Sequence, residues 1–120
     1  MQRAALSMIL LKNPKIIFMD EPTKGMDALF KEKFAEIIKK LCNLGTTVIT
    51  VSHDTEFCAL HCDRCALMSE GMLVTEADKY EFFANNYFYT TSANKIARDI
   101  FPDAVTEKEV VELCLKNLQR

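Results

Sequence analysis

Apolar runs and an amphipathic segment divide the first half of the chain into three predicted elements. Residues 16–19 are consecutive apolar residues, a pattern typical of a strand that is covered on both faces. Residues 28–42 carry apolar side chains at three- and four-residue intervals between lysines and glutamates, which predicts an amphipathic helix. Residues 46–51 form a β-branched run after Gly45, which predicts a second strand. Together they predict a right-handed βαβ unit with parallel strands.

Helices and a hairpin are predicted on either side of this unit. Residues 2–12 are rich in strong helix formers and stop before a proline, which predicts a short, largely buried helix. Residues 55–62 predict another helix. Residues 64–68 and 72–74 predict two strands that turn at the Glu-Gly pair between them.

The sequence changes character after Glu76. Aromatic residues cluster here, at Tyr80, Phe82, Phe83, Tyr87, Phe88 and Tyr89. Few cations lie nearby, so packing is favoured over base stacking in a nucleic-acid groove. Residues 87–91 are predicted to be extended, and Thr106 with Glu109 forms a capping box before a final amphipathic helix. We therefore predict one domain over residues 1–76 and a helical extension or inter-domain linker over residues 77–120.

Length and charge restrict the classes of protein that fit. A chain of 120 residues makes one domain or less and buries about two-thirds of its unfolded surface. The net charge is −2, with both signs interspersed, so neither a nucleic-acid surface nor a polybasic membrane patch is predicted. The longest apolar stretch near the start falls far short of the roughly 20 residues that span a bilayer. Any attachment to a membrane is therefore expected to be through a protein partner.

The cysteines bear on compartment and on metal binding. There are five of them, and together with the absence of a signal-peptide pattern they predict reduced thiols and a cytoplasmic location. Cys58, His61, Cys62 and Cys65 stand close together, and a structural zinc site is one interpretation. Their spacing also matches one face of a helix, on which cysteine commonly acts as a small buried apolar residue. We favour the helical interpretation.

Two adjacent carboxylates, Asp20 and Glu21, end the first predicted strand. In an open parallel sheet the ligand crevice lies at the carboxyl ends of the strands. In phosphate chemistry Asp20 can hold Mg²⁺, directly or through its water, and Glu21 can polarise an attacking water. A solvated turn is the ordinary interpretation of such a pair. Here Pro22 as a stop, Gly25 in a tight loop and Asp27 as a helix cap favour a site instead.

His53 follows the second predicted strand. A single histidine at such a position is more often a capping or structural residue. In a βαβ unit, however, the carboxyl ends of both strands lie side by side, which brings His53 near Asp20 and Glu21. We therefore include His53 among the candidate site residues.

Residues 15–27 resemble the Walker B segment and D-loop of ABC-type ATPases. Residues 16–21 match Walker B, and residues 24–27, Lys-Gly-Met-Asp, match the D-loop. His53 resembles the histidine of the H-loop in the same family. The resemblance implies an α/β fold class, namely the C-terminal part of a P-loop NTPase domain, with a parallel βαβ core followed by a β-hairpin and C-terminal helices.

The same resemblance implies a role for each candidate residue. Asp20 would coordinate Mg²⁺, and Glu21 would be the catalytic base. Asp27 would be a nucleotide-site residue that communicates across an ATPase dimer. His53 would be a second catalytic residue, in contact with the γ-phosphate. ATP and Mg²⁺ are the implied cofactors.

The region after residue 76 is similar to the ATPases of energy-coupling factor transporters. Residues 86–91 read Asn-Tyr-Phe-Tyr-Thr-Thr and precede Phe-Pro-Asp-Ala at residues 101–104, and the D-loop carries Lys24 with Gly25. This implies MgATP hydrolysis that drives micronutrient uptake, with a second ATPase domain and integral membrane subunits as partners and no nucleic acid. It also implies a peripheral location on the cytoplasmic face of the cell membrane.

The phosphate-binding cradle of the family is not in this sequence. The three glycines, Gly25, Gly45 and Gly71, stand outside any Gly-x-x-x-x-Gly-Lys-Ser/Thr motif, and residues 2–4 resemble those just after the signature loop. We therefore expect the chain by itself to bind ATP negligibly and to show no turnover. Two alternatives stay open: a separate non-catalytic module that pairs with another ATPase subunit, and part of a non-transport ABC ATPase.

Overall fold

The computed structural model of the protein describes residues 13–118. The chain forms two compact units that divide between His53 and Asp54. The helix predicted over residues 2–12 lies outside the described residues. No helix within the described range is long and apolar enough to cross a bilayer.

The first unit is a parallel βαβ unit, as predicted. It contains β1 (Ile16–Asp20), α1 (Ala28–Asn43) and β2 (Thr47–Val51). The strands pair in parallel along their whole length, and the last pair is Asp20 opposite Val51. Their carboxyl ends therefore lie side by side.

Helix α1 is fixed at both ends by capping interactions. Asp27 Oδ1 accepts a hydrogen bond from the Phe30 backbone N–H at 2.8 Å, which satisfies one of the donors that a helix leaves open at its start. At the other end Gly45, with φ of 90°, donates its N–H to the Cys42 carbonyl at 2.9 Å. A residue without Cβ adopts this conformation readily. The predicted helix and its Asp27 cap are confirmed.

The burial of β1 differs between its two faces. Ile17 is 4% exposed, whereas Ile16 and Phe18 are 54% and 76% exposed. Successive side chains of a strand point to opposite faces, and within residues 13–53 the only helix is α1. Within residues 13–53, α1 therefore covers one face of the strand pair and the other face is exposed. That β1 is suited to being covered on both faces stays a prediction.

The second unit begins with a short helix and a hairpin. Helix α2 (Thr55–His61) precedes β3 (Arg64–Ser69) and β4 (Met72–Asp78), and the two strands pair antiparallel as predicted. The turn residues Glu70 and Gly71 have φ of 51° and 77°, the positive values that a type I′ turn needs at both positions. Strand β4 continues past its predicted end to Asp78.

Helices α3 (Lys79–Asn85), α4 (Ser92–Ala97) and α5 (Glu107–Leu118) follow the hairpin. The core of this unit joins α2, α3 and the segment before α5 through Ala59, Phe82, Phe83 and Val105. Side chains of β3 and β4 pack against the same core. The predicted division of the chain after residue 76 stays a prediction.

The segment between α3 and α4 corrects another prediction. Residues 87–91 do not form an extended strand. Asn86 Oδ1 accepts the backbone N–H groups of Phe88 and Tyr89 at 3.2 and 2.9 Å. An Asn side chain that binds the backbone in this way turns the chain locally, and this outweighs the strand preference of the aromatic and β-branched residues.

Packing of the aromatic cluster is confirmed for only some of its members. Phe82 and Phe83 are buried, and their rings meet edge to face with centroids 5.1 Å apart, a favourable geometry for aromatic pairs. Tyr87 and Phe88 are 74% and 85% exposed. The Tyr87 ring nevertheless packs against the Arg98 guanidinium, 4.0 Å from its centroid, so the packing interpretation is wrong for Phe88 alone of these two.

Thr90, Thr91 and Asn94 form a buried polar network, each at most 2% exposed. Their side chains donate hydrogen bonds of 2.5–3.0 Å to the backbone carbonyls of Phe83, Val105, Pro102 and Ala104. The Thr90 hydroxyl also lies 3.2 Å from Asn94 Oδ1. Because buried polar groups are expensive to leave unpaired, this network fixes the loops around α4.

Helix α5 begins with the predicted capping box. Glu109 Oε2 accepts the backbone N–H groups of Thr106 at 2.8 Å and Val105 at 3.0 Å, and Thr106 Oγ1 accepts the Glu109 N–H at 3.4 Å. Partial burial raises the pKa of Glu109, but the hydrogen bonds from Thr106 and Val105 outweigh it. The pKa therefore lies below its ordinary value.

The cysteine-rich segment does not form one helix face. Helix α2 ends at His61, and Cys62 caps it. Cys65 lies on β3. The prediction that all four residues lie on one helix face is therefore wrong for Cys65, because the chain leaves the helix before that residue.

Candidate functional site

The carboxyl ends of β1 and β2 hold the Glu21 carboxylate in place. The Glu21 N–H donates to the Val51 carbonyl at 2.8 Å, just beyond the last strand pair. Its Oε1 accepts the His53 backbone N–H at 2.9 Å, and its Oε2 accepts the Ser52 hydroxyl at 3.3 Å. These two hydrogen bonds orient the carboxylate, one at each oxygen. We call this arrangement of Glu21, Ser52 and His53 the Glu21 clamp.

Glu21 adopts a left-handed backbone conformation, with φ of 44°. A residue with a Cβ is strained there by about 1–2 kcal/mol, and a residue before proline ordinarily stays extended. The conformation turns the chain away from β1 while the carboxylate stays bound to the end of β2. Backbone strain of this kind clusters at functional sites in proteins.

His53 is hydrogen-bonded to Glu21 through its backbone N–H, while its imidazole ring is exposed. Its side chain is 94% exposed, and Nε2 lies 3.8 Å from Oε1 of Glu21, whose own side chain is 30% exposed. The imidazole therefore stands in solvent beside an oriented carboxylate. The structure brings these two sequence-predicted residues together.

Asp20 ends β1 with an exposed side chain, directly before Glu21. Carboxylate oxygens are the ligands that Mg²⁺ prefers, and Mg²⁺ is ordinarily held by one or two carboxylates together with phosphate oxygens and water. Among residues 13–118 no group of three or more His, Cys, Asp and Glu side chains is arranged to hold a metal ion. An exposed carboxylate such as that of Asp20 could serve as a single Mg²⁺ ligand, and any further ligands would have to come from phosphate or water.

The loop that connects the clamp to α1 is closed by turns. The Lys24 N–H donates to the Glu21 carbonyl at 3.2 Å, and the Met26 N–H donates to the Thr23 carbonyl at 3.1 Å. Asp27 then caps α1 with its carboxylate. This predicted nucleotide-site residue therefore lies at the start of the helix and not in the clamp.

Ser52 is the member of the site that sequence reasoning missed. Its position beside His53, after a predicted strand, was an available signal because side chains at the carboxyl end of a parallel strand face the ligand crevice. The sequence does not show that the hydroxyl reaches a carboxylate 31 positions away. That contact depends on the register of the two strands.

Curated relatives match nearly the whole chain. A putative ABC transporter ATP-binding protein of Bacillus anthracis is 39% identical over 117 residues, which are 98% of this chain and 21% of that protein. Another, from Bacillus cereus, is 41% identical over 113 residues, which are 94% of this chain and 20% of that protein. Homologues of this chain are ABC transporter ATP-binding proteins. The chain spans about a fifth of the length of these two relatives.

Energy-coupling factor proteins are among the relatives of this chain. The energy-coupling factor transporter ATP-binding protein EcfA2 of Mesomycoplasma hyopneumoniae is 37% identical over 87 residues, which are 72% of this chain and 29% of that protein. The predicted resemblance to ABC ATPases, and among them to energy-coupling factor ATPases, is confirmed. No family model matches the chain.

A solved structure shares the fold of this chain. CbiO1 from Clostridium perfringens, part of the ABC transporter complex cbiONQ, matches with a TM-score of 0.64 and 27% identity. The match covers 83% of this chain and 38% of CbiO1. It confirms the predicted α/β fold class with parallel strands, a β-hairpin and C-terminal helices.

Proposed function

We propose that this chain supplies the Walker B, D-loop and H-loop segments of an ATP-hydrolysing subunit of an ABC transporter of the energy-coupling factor type, in which MgATP hydrolysis drives micronutrient uptake. The observation that carries the proposal is the Glu21 clamp, in which an oriented carboxylate lies beside the exposed His53 ring at the carboxyl ends of two parallel strands. The relatives and the likeness to CbiO1 support the class of protein.

Glu21 is the proposed general base. The clamp restrains its carboxylate from two sides, and each oxygen keeps a further lone pair for a proton. Oε2 has the longer hydrogen bond, 3.3 Å from the Ser52 hydroxyl, and we assign to it the proton of the attacking water. A positioned base of this kind contributes about 10²–10⁴-fold to a rate.

Asp20 is the proposed Mg²⁺ ligand, and ATP is the proposed nucleotide. When bound, Mg²⁺ neutralises charge on the β- and γ-phosphate oxygens of ATP. Asp20 offers an exposed carboxylate at the end of β1, whereas the Glu21 carboxylate is engaged by the end of β2. The two adjacent acids are thereby available for separate tasks, metal binding and proton acceptance.

His53 and Asp27 are proposed to act at the edges of the site. The His53 backbone is bound to Glu21 while the ring stays exposed, so a contact of the ring with the γ-phosphate would be tied to the position of the base. Asp27, exposed at the start of α1, is proposed to communicate with a second ATPase domain. Integral membrane subunits are the other proposed partners, which would place the protein on the cytoplasmic face of the membrane.

The test is the substitution Glu21→Gln in the full-length ATPase that contains this chain. The amide keeps the size of the carboxylate but cannot take a proton from water, so ATP turnover is expected to fall about 10²–10⁴-fold while ATP binding is retained. Glu36→Gln is the matched control, because Glu36 is exposed on α1 and should leave turnover unchanged. Wild-type turnover in Glu21→Gln would overturn the assignment of the base.

A further inference from the structure

Three cysteines meet at the junction of α2 and β3, and the proposed ATPase chemistry does not use them. Cys58 lies on α2, Cys62 caps the end of that helix and Cys65 lies on β3. The Cys62 N–H donates to the Cys58 carbonyl at 2.9 Å, and Cys62 then leaves the helix in an extended conformation with φ of −90° and ψ of 151°. Each of the three cysteines is half-buried and free. We call them the thiol cluster.

Cys62 is the central member of the thiol cluster. It lies one helical turn after Cys58, to whose carbonyl its N–H is bound, and its side chain interacts electrostatically with Cys58 and Cys65. Those two cysteines pack against the same core of the second unit. Cys62 and Cys65 also form a Cys-x-x-Cys motif, a spacing typical of dithiol–disulfide centres.

Electrostatics favours the thiolate at Cys62. Hydrogen bonds from the Cys58 and Cys65 thiols lower the pKa of Cys62, and the nearby His61 and Lys79 act in the same direction. The pKa of Cys58 and that of Cys65 are raised, first by the hydrogen bond to Cys62 and then by burial. The cluster therefore holds one thiol that ionises readily next to two that do not.

We propose that Cys62 is a reactive thiol that takes low-molecular-weight disulfides, such as oxidised glutathione, as its substrate class, with Cys58 and Cys65 as alternative resolving thiols. Cys62 Sγ attacks one sulfur of the small disulfide, the disulfide bond breaks, and one small thiolate leaves. Cys58 or Cys65 then loses its proton to solvent and attacks Cys62 Sγ, which releases the second small thiolate. Two protein thiols are oxidised to one disulfide, and one small disulfide is reduced to two thiols.

The experiment maps this exchange by mass spectrometry on the full chain with oxidised glutathione. The background is the double variant Cys42→Ser with Cys114→Ser, because both of these cysteines are exposed and lie outside the cluster. We expect an intramolecular disulfide that always includes Cys62. Cys62→Ser should abolish it.

Variants of the resolving thiols sharpen the test. Cys58→Ser and Cys65→Ser should each still form a disulfide, through the remaining partner of Cys62. With both removed, the reaction should stop at a mixed disulfide between Cys62 and glutathione. A disulfide between Cys58 and Cys65, or modification that bypasses Cys62, would overturn the proposal.

Thiol labelling of the unaltered chain tests the same assignment without depending on whether a serine variant folds. With limiting iodoacetamide at pH 7, Cys62 should react about tenfold faster than the exposed Cys42 and Cys114, because a larger fraction of it is thiolate. If Cys42 or Cys114 is labelled as fast as Cys62, the assignment of the reactive thiol is wrong. Circular dichroism of each serine variant shows whether a lost disulfide reflects a lost fold.

Discussion

The Glu21 clamp and the network of Thr90, Thr91 and Asn94 are built from the same kind of hydrogen bond but differ in exposure. Both tie chain segments together through a side chain that binds backbone groups. In the network every member is at most 2% exposed. In the clamp the Glu21 and His53 side chains are 30% and 94% exposed, and the Glu21 backbone is in a left-handed conformation.

The difference in exposure separates polar interactions that stabilise the fold, as in the buried network, from those of the candidate site, as in the clamp. A buried hydrogen-bonding group stabilises the fold chiefly because leaving it unpaired costs so much, and no buried side-chain nitrogen or oxygen in the described part of the chain lacks a partner. A partly exposed carboxylate on a strained backbone gains less from the same bonds. The network is therefore explained by stability, whereas the clamp agrees with the proposed chemistry.

The largest effect should come from substituting, one at a time, the two acids at the end of β1 in the proposed full-length ATPase. Asp20→Asn should weaken Mg²⁺-dependent nucleotide binding by more than about tenfold, because the metal loses its anionic ligand. Glu21→Gln should instead retain nucleotide and lose turnover. Isothermal calorimetry with MgATP, compared with steady-state turnover, distinguishes the two variants. If Asp20→Asn keeps binding while Glu21→Gln loses it, the assignment of metal ligand and base is reversed.

The buried network should respond in stability and not in chemistry. Asn94→Ala removes the side-chain donor from the Pro102 and Ala104 carbonyls, so the free energy of unfolding should fall by about 2–5 kcal/mol. Urea denaturation of the chain measures it. The control Asn117→Ala, exposed on α5, should change stability by less than about 0.5 kcal/mol. Equal effects at the two asparagines would show that the buried network does not hold the fold.

The smallest effect should appear in the pH dependence of stability. The folded pKa of Glu109 lies below its ordinary value, so its contribution is present above the unfolded pKa and is lost as the pH falls through the folded one. Glu109→Gln should therefore weaken the drop in stability between about pH 5 and pH 3. Urea midpoints across that range measure it, with the exposed Glu112→Gln as the control. An unchanged pH profile in Glu109→Gln would contradict the role of the capping box.

Features set by local sequence signals were predicted well. The Asp27 cap, the stop at Gly45, the Glu70 and Gly71 turn and the capping box at Thr106 each depend on residues within a few positions of one another. Local chemistry of this kind can be read from a single sequence. The order of these elements was sufficient to predict the parallel pairing of β1 and β2.

Features set by distant contacts were missed. The left-handed Glu21 runs against the local rule for a residue before proline, and it is held by Ser52 and His53 from another strand. The network around Asn94 joins carbonyls from separate loops, and no periodicity marks it. Residues 87–91 were predicted wrongly because one side chain, that of Asn86, overrides the propensity of the residues after it.

The left-handed conformation of Glu21 also places two selective pressures on one position. At φ of 44° the backbone would favour glycine or asparagine, whereas the proposed proton transfer needs a carboxylate. A library of the chain that is selected only for thermostability should drift toward glycine or asparagine at position 21, because stabilising changes at strained sites are often made at the expense of function. A library selected for transport should retain glutamate, and position 21 would then show directly how far the two selections diverge.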